Sequence, residues 1–259
     1  MARSCAVPWP RHSLICQASR GSWPASKEEV DTSAGLLLQN VYESRHPLVR
    51  HKLTVLRRTD TGVRRFRELA WELTTLLAYE VLADLALAQT EVTTPLGQAA
   101  GYTLAERVAI VPILRAGLGM VDPIWNLLPE AQVGHIGLYR DETTLRPVEY
   151  YSKLPPANQV DVCLLLDPML ATGGSAVAAC SILKGWGIRR IKYLGLIAAP
   201  QGIAHLHEVH PDVDIHIAAA DHCLNDRGYI VPGLGDAGDR LFGTKMEEAA
   251  RIPSTEEEP

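Results

Sequence analysis

An acidic residue and a cluster of small hydroxyl and glycine residues lie close together near the middle of the chain. Asp167 ends an apolar run, residues 160–166, and Thr172-Gly173-Gly174-Ser175 follows after a short turn. Glycines let a loop turn its backbone N–H groups inward, and the N-terminus of the helix-compatible segment that follows adds a partial positive charge, so this layout suits a phosphate. A carboxylate suits two neighbouring hydroxyl groups, because it can accept a hydrogen bond from each. Together these residues predict a site for a ribose phosphate.

Two other interpretations of this stretch have to be considered. A P-loop is excluded, because no lysine follows the glycines as the pattern G-x-x-x-x-G-K-[ST] requires. An ordinary strand–turn–helix corner, in which Thr172 or Ser175 caps the helix, fits the residues as well as a phosphate site does. The local pattern alone leaves that choice open.

The string LLLDPMLATGGS, residues 164–175, resembles the motif with which phosphoribosyltransferases bind phosphoribosyl diphosphate (PRPP). The DPMLATGGS part is similar to the uracil phosphoribosyltransferase branch in particular, where proline replaces the second of two adjacent acids, as Pro168 does here. The resemblance implies that Asp167 binds the ribose hydroxyls and that residues 172–175 bind the 5-phosphate. The residues that it places at PRPP are Asp167, Pro168, Met169, Leu170, Ala171, Thr172, Gly173, Gly174 and Ser175.

The elements that must position this motif follow from the alternation of apolar runs with helix-compatible segments after residue 107. Predicted strands cover 108–114, 133–139, 160–166, 191–199 and 213–220. Strands this apolar, with helices between them, are typical of a parallel sheet that is covered on both faces. The predicted fold is therefore α/β, a parallel twisted sheet flanked by helices, and the resemblance adds a C-terminal hood over the edge of the sheet.

Three further elements are predicted around this sheet. Residues 89–105 are predicted to form a loop or a short hairpin, and residues 117–128 a helix. A long amphipathic helix is predicted after Gly62. Its apolar face consists of Phe66, Leu69, Leu73, Leu76 and Leu77.

Two arginines also follow predicted strands, Arg115 and Arg140. Ligands of open α/β sheets bind beyond the carboxyl ends of the strands, and arginine suits bidentate contact with a diphosphate. A single surface arginine is more often only a salt-bridge partner, but here both fall at the same predicted sheet edge as Asp167. The segments VPILRAGLGM (111–120) and YRDE (139–142) are similar to the diphosphate-contacting segments of the family. The resemblance implies that Arg115 and Arg140 hold the diphosphate leaving group, with Arg115 among the catalytic residues.

Residues 225–240 are rich in glycine and proline and lack a helix or strand pattern. A plain C-terminal wrap would account for them, yet they resemble the uracil-binding hood of the family, as does the following Phe242-Gly243-Thr244-Lys245. The resemblance implies a hood at about 221–245. In it, Asp236 would face PRPP or its metal and would be catalytic, with acceptance of the uracil proton as a hypothesis. The residues implied to contact uracil are Ile230, Gly235, Asp236 and Ala237.

Composition sets limits on the class of protein. The chain has 259 residues, five cysteines and a formal net charge of −5. The mild negative charge argues against a nucleic-acid partner and against a membrane surface. No apolar run approaches the ~20 residues that a membrane span needs. An odd number of cysteines without a C-x-x-C pattern predicts reduced thiols and a cytoplasmic protein.

The chain is predicted to have three parts. Residues 1–40 contain no acid before Glu28, and their basic, serine-rich composition is typical of a transit peptide. Their prolines oppose the helix that such a peptide forms, so a disordered extension or an overlong reading frame is preferred. Residues 41–245 are predicted to form the phosphoribosyltransferase domain, and residues 246–259 an acidic disordered tail.

The resemblance covers about residues 42–245 and implies a pentosyltransferase of pyrimidine salvage, which moves the phosphoribosyl group of PRPP to uracil to give UMP and diphosphate. It also implies Mg²⁺ carried by PRPP rather than by a protein metal site, GTP as an effector as in some relatives, and a homodimer or higher homo-oligomer. A rival hypothesis is a regulator of RNA or DNA on the same fold, which would need a basic face and two acids in the motif. A generic sugar-phosphate-binding module does not account for the hood.

Overall fold

The computed structural model describes residues 40–140 and 147–244, without the side chain of Arg140. The predicted extension, up to residue 39, and the predicted acidic tail lie outside the described residues. Asn40 is attached to the sheet, because its carbonyl accepts a hydrogen bond from the Ile215 N–H at 2.8 Å and its Nδ2 donates to the Pro211 carbonyl at 3.1 Å. The described body thus starts one residue before the predicted boundary at residue 41.

The described residues form strands and helices that alternate through most of the chain. In chain order they are β1 (Val41–Glu43), α1 (Pro47–Arg57), α2 (Val63–Val81), β2 (Leu87–Thr94), β3 (Gly97–Leu104), β4 (Val108–Leu114), α3 (Val121–Leu127), β5 (Gln132–Val133), β6 (His135–Arg140), β7 (Pro147–Lys153), β8 (Val162–Leu166), β9 (Met169–Leu170), α4 (Gly174–Trp186), β10 (Ile191–Ala198), α5 (Pro200–Val209), β11 (Asp214–Ala220), β12 (Cys223–Leu224), β13 (Ile230–Val231) and α6 (Ala237–Phe242). Two 3-10 turns, Ala116–Met120 and Ala157–Gln159, complete the set.

Nine of these strands form one sheet. Its main path runs β1-β11-β10-β8-β4-β6-β7, with β5 beside β4 and β9 beside β10. All of its strand pairs are parallel except β6 with β7. The pairs β2–β3 and β12–β13 form separate antiparallel hairpins. The predicted α/β fold with a parallel central sheet is confirmed.

The central strands bury side chains on both faces of the sheet. Every residue of β8 and of β10 is buried. On β8, Leu164 and Leu166 belong to the core that includes α1 and α2, whereas Cys163 and Leu165 belong to the core that includes α4 and α5. Successive side chains of a strand point to opposite faces, so one uniformly apolar run supplies both cores.

The elements around the sheet match the sequence predictions with one change. The predicted apolar face of α2 is buried or packed against the core, and the predicted loop or hairpin is the hairpin β2–β3. The predicted helix 117–128 is instead divided into the turn Ala116–Met120 and α3. Gly117 lets this turn pack directly on the end of β8, because an ideal Cβ there would lie 2.4 Å from the Leu166 carbonyl oxygen. No helix within residues 40–140 and 147–244 is long and apolar enough to cross a membrane.

Candidate active site

Asp167 lies where the chain leaves the regular sheet. Strands β8 and β9 both pair with β10, and Asp167-Pro168 separates them. The Asp167 N–H donates to the Leu194 carbonyl at 3.2 Å, and the N–H groups of Leu196 and Ile197 both donate to the Pro168 carbonyl, at 3.0 and 3.1 Å. Proline has no N–H to return to the ladder, so the hydrogen-bond pattern is interrupted here. Asp167 therefore stands at the carboxyl edge of the sheet, as predicted.

The loop from Asp167 to Ser175, called the 167–175 loop below, is held by helix α5. An ideal Cβ on Gly202 of α5 would lie 2.4 Å from the Ala171 carbonyl oxygen, so the helix packs directly on the loop backbone. Gly173 has a φ of +81°, which favours glycine, and a Cβ there would lie 2.8 Å from the Gly202 carbonyl oxygen. His205 adds a hydrogen bond from Nδ1 to the Thr172 carbonyl at 2.9 Å. These contacts define one backbone conformation for the loop.

The neighbouring glycine, Gly174, is less crowded, because a Cβ there would make only ordinary van der Waals contacts. An ideal Cβ there would find its nearest heavy atoms at 3.8 and 3.9 Å, Thr172 Oγ1 and Pro147 Cδ. Gly174 begins helix α4, in which the Val177 N–H donates to the Gly173 carbonyl at 2.9 Å. The N–H groups before Val177 have no partner inside the helix, and this helix end carries a partial positive charge. N–H groups without a helix partner, at a helix end with this charge, suit an anion.

The Asp167 carboxyl has an unusual electrostatic environment. Burial and the nearby Asp236 carboxylate raise the pKa of Asp167 to about 7, although a hydrogen bond with the Met169 backbone acts in the opposite direction. A ligand that donates hydrogen bonds or brings positive charge would lower this pKa, and its binding would be favoured in return. Perturbed acids of this kind are enriched at functional sites. The interaction with Asp236 also shows that the hood and the 167–175 loop lie near each other.

Arg115 follows β4 and turns toward helix α6 of the hood. Its Nη2 lies 3.1 Å from Asp239 Oδ1, and its guanidinium carbon lies 5.6 Å from the centre of the Phe242 ring. An ideal Cβ on Gly238 would lie 3.2 Å from Asp236 Oδ1 and 3.6 Å from Arg115 Nη2, so this glycine sits between the two charged groups. The Arg115 side chain is 55% exposed, although that of Asp239 is only 13% exposed, so an anionic ligand can reach the guanidinium from the solvent side.

Arg140 is the last residue of β6, which pairs with β4 on the central sheet. Its backbone therefore lies at the same edge as Arg115, and its side chain is outside the description. The predicted Tyr139-Arg140-Asp141-Glu142 step continues into residues 141–146, which also lie outside the described residues.

Asp236 has a structural role in the hood. It is the N-cap of α6, and its Oδ1 accepts a hydrogen bond from the Asp239 N–H at 2.8 Å. This bond satisfies one of the N–H groups that a helix start leaves unpaired. The cap orients the Asp236 carboxylate, whose charge acts on Asp167.

The other predicted uracil contacts lie in the same short stretch of backbone. Ile230 is buried in β13, and Ala237 is fully buried at the start of α6. Between them, Gly233 and Gly235 have φ values of +63° and +79°, and an ideal Cβ on Gly233 would lie 2.1 Å from the Ile230 carbonyl oxygen. The chain therefore doubles back between β13 and α6, and it needs glycine to do so.

Two residues that hold the hood were missed by the sequence analysis. Arg57, the last residue of α1, contacts both carboxylate oxygens of Asp221 at 2.7 and 2.5 Å, and it also donates to the Gly233 carbonyl at 2.7 Å. The Gly233 N–H donates to Asp221 Oδ2 at 2.9 Å. The side chain of Asp221 is only 5% exposed. The position of Asp221 after a predicted strand was a usable signal, but Arg57 had none, because its partner lies 164 residues away.

Arg240 attaches the hood at a second point. Its Nη1 donates to the Leu234 carbonyl at 2.8 Å, and its Nη2 donates to the Arg58 carbonyl at 2.7 Å. Its guanidinium carbon lies 4.3 Å from the centre of the Phe66 ring, within the range of a cation–π contact. The hood is thus joined to the segment between α1 and α2 by a charged side chain.

Within residues 40–140 and 147–244, no group of three or more His, Cys, Asp or Glu side chains could hold a metal ion. The site contains two neighbouring acids instead, Asp167 and Asp236. Two carboxylates fit a hard cation that takes most of its oxygen ligands from a diphosphate and water.

Comparison with known proteins places this chain in a family. The sequence model of the family described as "Uracil phosphoribosyltransferase" matches residues 43–244. The uracil phosphoribosyltransferase of Roseiflexus castenholzii is 65% identical over 207 residues, 80% of this chain and 100% of that protein, and that of Geobacillus kaustophilus is 57% identical, over 79% of this chain and 99% of that protein. The solved structure of the AQ2163 protein from Aquifex aeolicus is 39% identical, covers 80% of this chain and 100% of that chain, and has a TM-score of 0.76. The chain belongs to the uracil phosphoribosyltransferase family.

Proposed function

We propose that this protein transfers the phosphoribosyl group of PRPP to uracil and releases UMP and diphosphate. The observation that carries the proposal is the N-terminus of α4, whose first N–H groups have no partner inside the helix, together with the acid Asp167 at the other end of the same loop and near the hood. Membership of the uracil phosphoribosyltransferase family supports the same reaction.

The two ends of PRPP would occupy different elements. The N–H groups at the start of α4, with Thr172 and Ser175, would bind the 5-phosphate in the space beside Gly174. Asp167 would accept hydrogen bonds from the ribose hydroxyls. Arg115 and Arg140 would hold the diphosphate, with Arg115 exchanging its exposed pair with Asp239 for the ligand.

The reaction is a displacement at the anomeric carbon of the ribose. The bond from this carbon to the diphosphate oxygen breaks, the bond to N1 of uracil forms, and the carbon carries positive charge in the transition state. The protein's contribution is mainly to position the two substrates and to stabilise charge. The negative charges of the Asp167 and Asp236 carboxylates would favour the positive charge that develops on the ribose carbon. We propose that Asp236, oriented by its cap bond, takes the proton that uracil loses.

Mg²⁺ would arrive bound to PRPP, and the chemistry it supplies is neutralisation of charge on the departing diphosphate. The carboxylates of Asp167 and Asp236 would face it. Pro168, in the place where a second motif acid would stand, agrees with a cation that is held mainly by its substrate.

Uracil would be recognised by the backbone of the hood. The segment from Ile230 to Ala237 is nearly devoid of polar side chains, so its N–H and C=O groups would have to read the base. Uracil presents an acceptor at O4 and a donor at N3, whereas cytosine reverses both. A site built on such hydrogen bonds rejects the wrong analogue by ~10⁴-fold or more.

We also propose that the protein is a homo-oligomer. Most side chains of the hairpin β2–β3 are exposed, with Leu96 fully exposed and Tyr102 65% exposed. An isolated two-stranded hairpin is only marginally stable in water, so a second copy of the chain is a reasonable partner for it. Activation by GTP and a cytoplasmic location remain proposals from the family resemblance and from the cysteine pattern.

The test of the proposed reaction is direct. The purified protein is mixed with PRPP, Mg²⁺ and labelled uracil, and UMP and diphosphate are measured. Labelled cytosine in the same mixture is the control for the base. Absence of UMP would contradict the proposed reaction, and turnover of cytosine within tenfold of uracil would contradict recognition of the base by the hood backbone.

A further inference from the structure

Tyr193 is a fully buried tyrosine whose hydroxyl has one specific partner. It lies on β10 within the apolar core that includes α4 and α5, and its Oη donates to the backbone carbonyl of Asp167 at 2.9 Å. Burial holds the pKa of Tyr193 well above its usual value, with Asp167 acting in the same direction, so the phenol remains a hydrogen-bond donor. The core thus contains a hydroxyl group that binds the backbone of Asp167, the first residue of the 167–175 loop.

This hydrogen bond replaces a backbone hydrogen bond that is missing from the ladder between β8 and β10. The Asp167 N–H donates to the Leu194 carbonyl, so a regular parallel ladder would next join the Leu196 N–H to the Asp167 carbonyl. The Leu196 N–H donates instead to the Pro168 carbonyl, at 3.0 Å. The Asp167 carbonyl would be a buried acceptor without a partner, and the Tyr193 hydroxyl satisfies it.

Gly195 makes room for this contact. An ideal Cβ on Gly195 would lie 2.9 Å from Tyr193 Cε1, 3.2 Å from Tyr193 Oη and 3.1 Å from the Asp167 carbonyl oxygen. A side chain at this position would therefore push the phenol away from the carbonyl. Tyr193 and Gly195 act together, two residues apart on one face of β10.

We propose that Tyr193 is a positioning residue for PRPP, because its hydroxyl holds the peptide that joins Asp167 to Pro168 and so aims the Asp167 carboxylate at the ribose. The inference rests on the ribose-binding role proposed above for Asp167. Tyr193 itself does not touch the substrate. Its effect passes through the backbone of Asp167, whose carbonyl is bound by the Tyr193 hydroxyl instead of by the ladder.

The first test is the substitution Tyr193→Phe, which keeps the ring and removes only the hydroxyl. A buried carbonyl left without its partner disturbs its residue, and we expect kcat/KM for PRPP to fall about tenfold while KM for uracil is unchanged. Thr74→Val is the matched control, because Thr74 is also fully buried and its hydroxyl donates to the Ala70 carbonyl at 2.8 Å, on α2. The control should leave PRPP kinetics unchanged, because its hydroxyl binds a carbonyl of its own helix α2 rather than the 167–175 loop.

A double-mutant cycle separates positioning from general destabilisation. If Tyr193 acts through Asp167, adding Tyr193→Phe to Asp167→Asn should change kcat/KM for PRPP by less than about twofold. The inference would be overturned if the two substitutions together lowered kcat/KM by the product of their separate effects. Normal PRPP kinetics in Tyr193→Phe, or an equal loss in Thr74→Val, would overturn it as well. Normal kinetics in Asp167→Asn alone would instead contradict the role proposed for Asp167.

A second pair of substitutions covers the case in which Tyr193→Phe does not fold. 4-Fluorophenylalanine at position 193 fills the space of the hydroxyl without donating a hydrogen bond, whereas 4-aminophenylalanine fills it and donates. We expect PRPP kinetics close to those of the natural protein for the amino analogue and about a tenfold loss for the fluoro analogue. Equal kinetics for the two analogues would overturn the inference.

Discussion

The 167–175 loop and the hood lie near each other, yet they are held in different ways. The loop is held by the N–H groups of β10, by the close approach of Gly202 in α5, and by hydrogen bonds from the His205 and Tyr193 side chains to its carbonyl groups. The hood is held largely by charged side chains, with Arg57 on Asp221 and Arg240 on carbonyl groups. Apart from Asp236, the proposed PRPP site is therefore built on the sheet, whereas the proposed uracil site belongs to a segment attached to the sheet. Substitutions should therefore be able to damage the loop without the hood, or the hood without the loop.

Gly174→Val is expected to have the largest effect on the loop, with a large loss of PRPP affinity and little change in stability. The side chain would occupy the position beside the start of α4 where the 5-phosphate is proposed to bind. Each charge-assisted hydrogen bond to a phosphate contributes ~1.5–3 kcal/mol, so PRPP affinity should fall by about 100-fold or more. Tm should stay close to that of the natural protein. Titration calorimetry with PRPP and Mg²⁺ and a thermal melt measure the two quantities.

Two other glycines are the controls for this prediction. Gly185→Val lies in the same helix, and an ideal Cβ there has nothing within 4 Å, so PRPP affinity should be unchanged. Gly173→Ala should instead lower Tm, because its φ of +81° and the Gly202 carbonyl 2.8 Å away oppose a side chain. Normal PRPP affinity in folded Gly174→Val would show that the 5-phosphate binds elsewhere.

Asp167→Asn should weaken the loop's function and strengthen the fold. Losing a charged hydrogen-bond acceptor costs ~1.5–3 kcal/mol, which lowers kcat/KM for PRPP by about 10- to 100-fold. The folded pKa of Asp167 is about 7, above the unfolded value of ~3.9. Its stabilising contribution is therefore fully present at low pH and is lost as pH rises from ~4 to ~7. Asparagine cannot ionise, so the Tm of the variant relative to the natural protein should rise with pH and be higher at pH 8.

Asp161→Asn is a control for which the change in Tm at pH 8 should have the opposite sign. A hydrogen bond from Arg107 lowers the pKa of Asp161 to about 2, so its stabilising contribution is present at neutral pH and is lost as pH falls through that value. This variant should have a lower Tm at pH 8 and normal kinetics. A Tm difference between Asp167→Asn and the natural protein that does not vary with pH would show that the Asp167 carboxyl ionises normally in the free protein.

Arg57→Met should damage the hood and spare the loop. Asp221 would remain as a buried charge without its partner, and breaking a buried ion pair costs ~3–5 kcal/mol, so Tm should fall. We expect KM for uracil to rise about tenfold and PRPP affinity to stay within about threefold, since the hood alone would shift. Arg58→Met is the control, because the Arg58 side chain is 61% exposed in its pair with Asp60. An equal loss of PRPP affinity in Arg57→Met would show that loop and hood form one unit.

Deletion of residues 1–38 should have the smallest effect. The described contacts that hold the loop and the hood lie within residues 40–244, so activity and Tm should both be retained. Deletion of residues 1–43 removes β1, which pairs with β11, and should lower Tm. A soluble but inactive 1–38 deletion would mean that the N-terminal segment contributes to one of the two regions.

Local sequence was enough to predict the strand–turn–helix layout of the loop, whereas its role in binding PRPP came from resemblance to the family. The apolar run of β8, the acid after it and the glycines before α4 are adjacent in the chain, and their backbone preferences act over a few residues. The predicted uracil contacts, by contrast, came from resemblance to the family, because residues 225–240 carry no periodic pattern. Their site roles remain predictions.

Sequence by itself determined the α/β class, the strand ends that carry Arg115, Arg140 and Asp167, and the glycine corner, because periodicity and backbone preference are local properties. Only the tertiary structure decided what holds these parts in place. Arg57 meets Asp221 across 164 residues, and Tyr193 meets Asp167 across 26. Neither contact leaves a local pattern, since a helix arginine and a strand tyrosine look ordinary until the parallel sheet brings distant strands side by side. The physical reason is that a hydrogen bond depends on distance in space, which the chain topology sets and the spacing of residues does not.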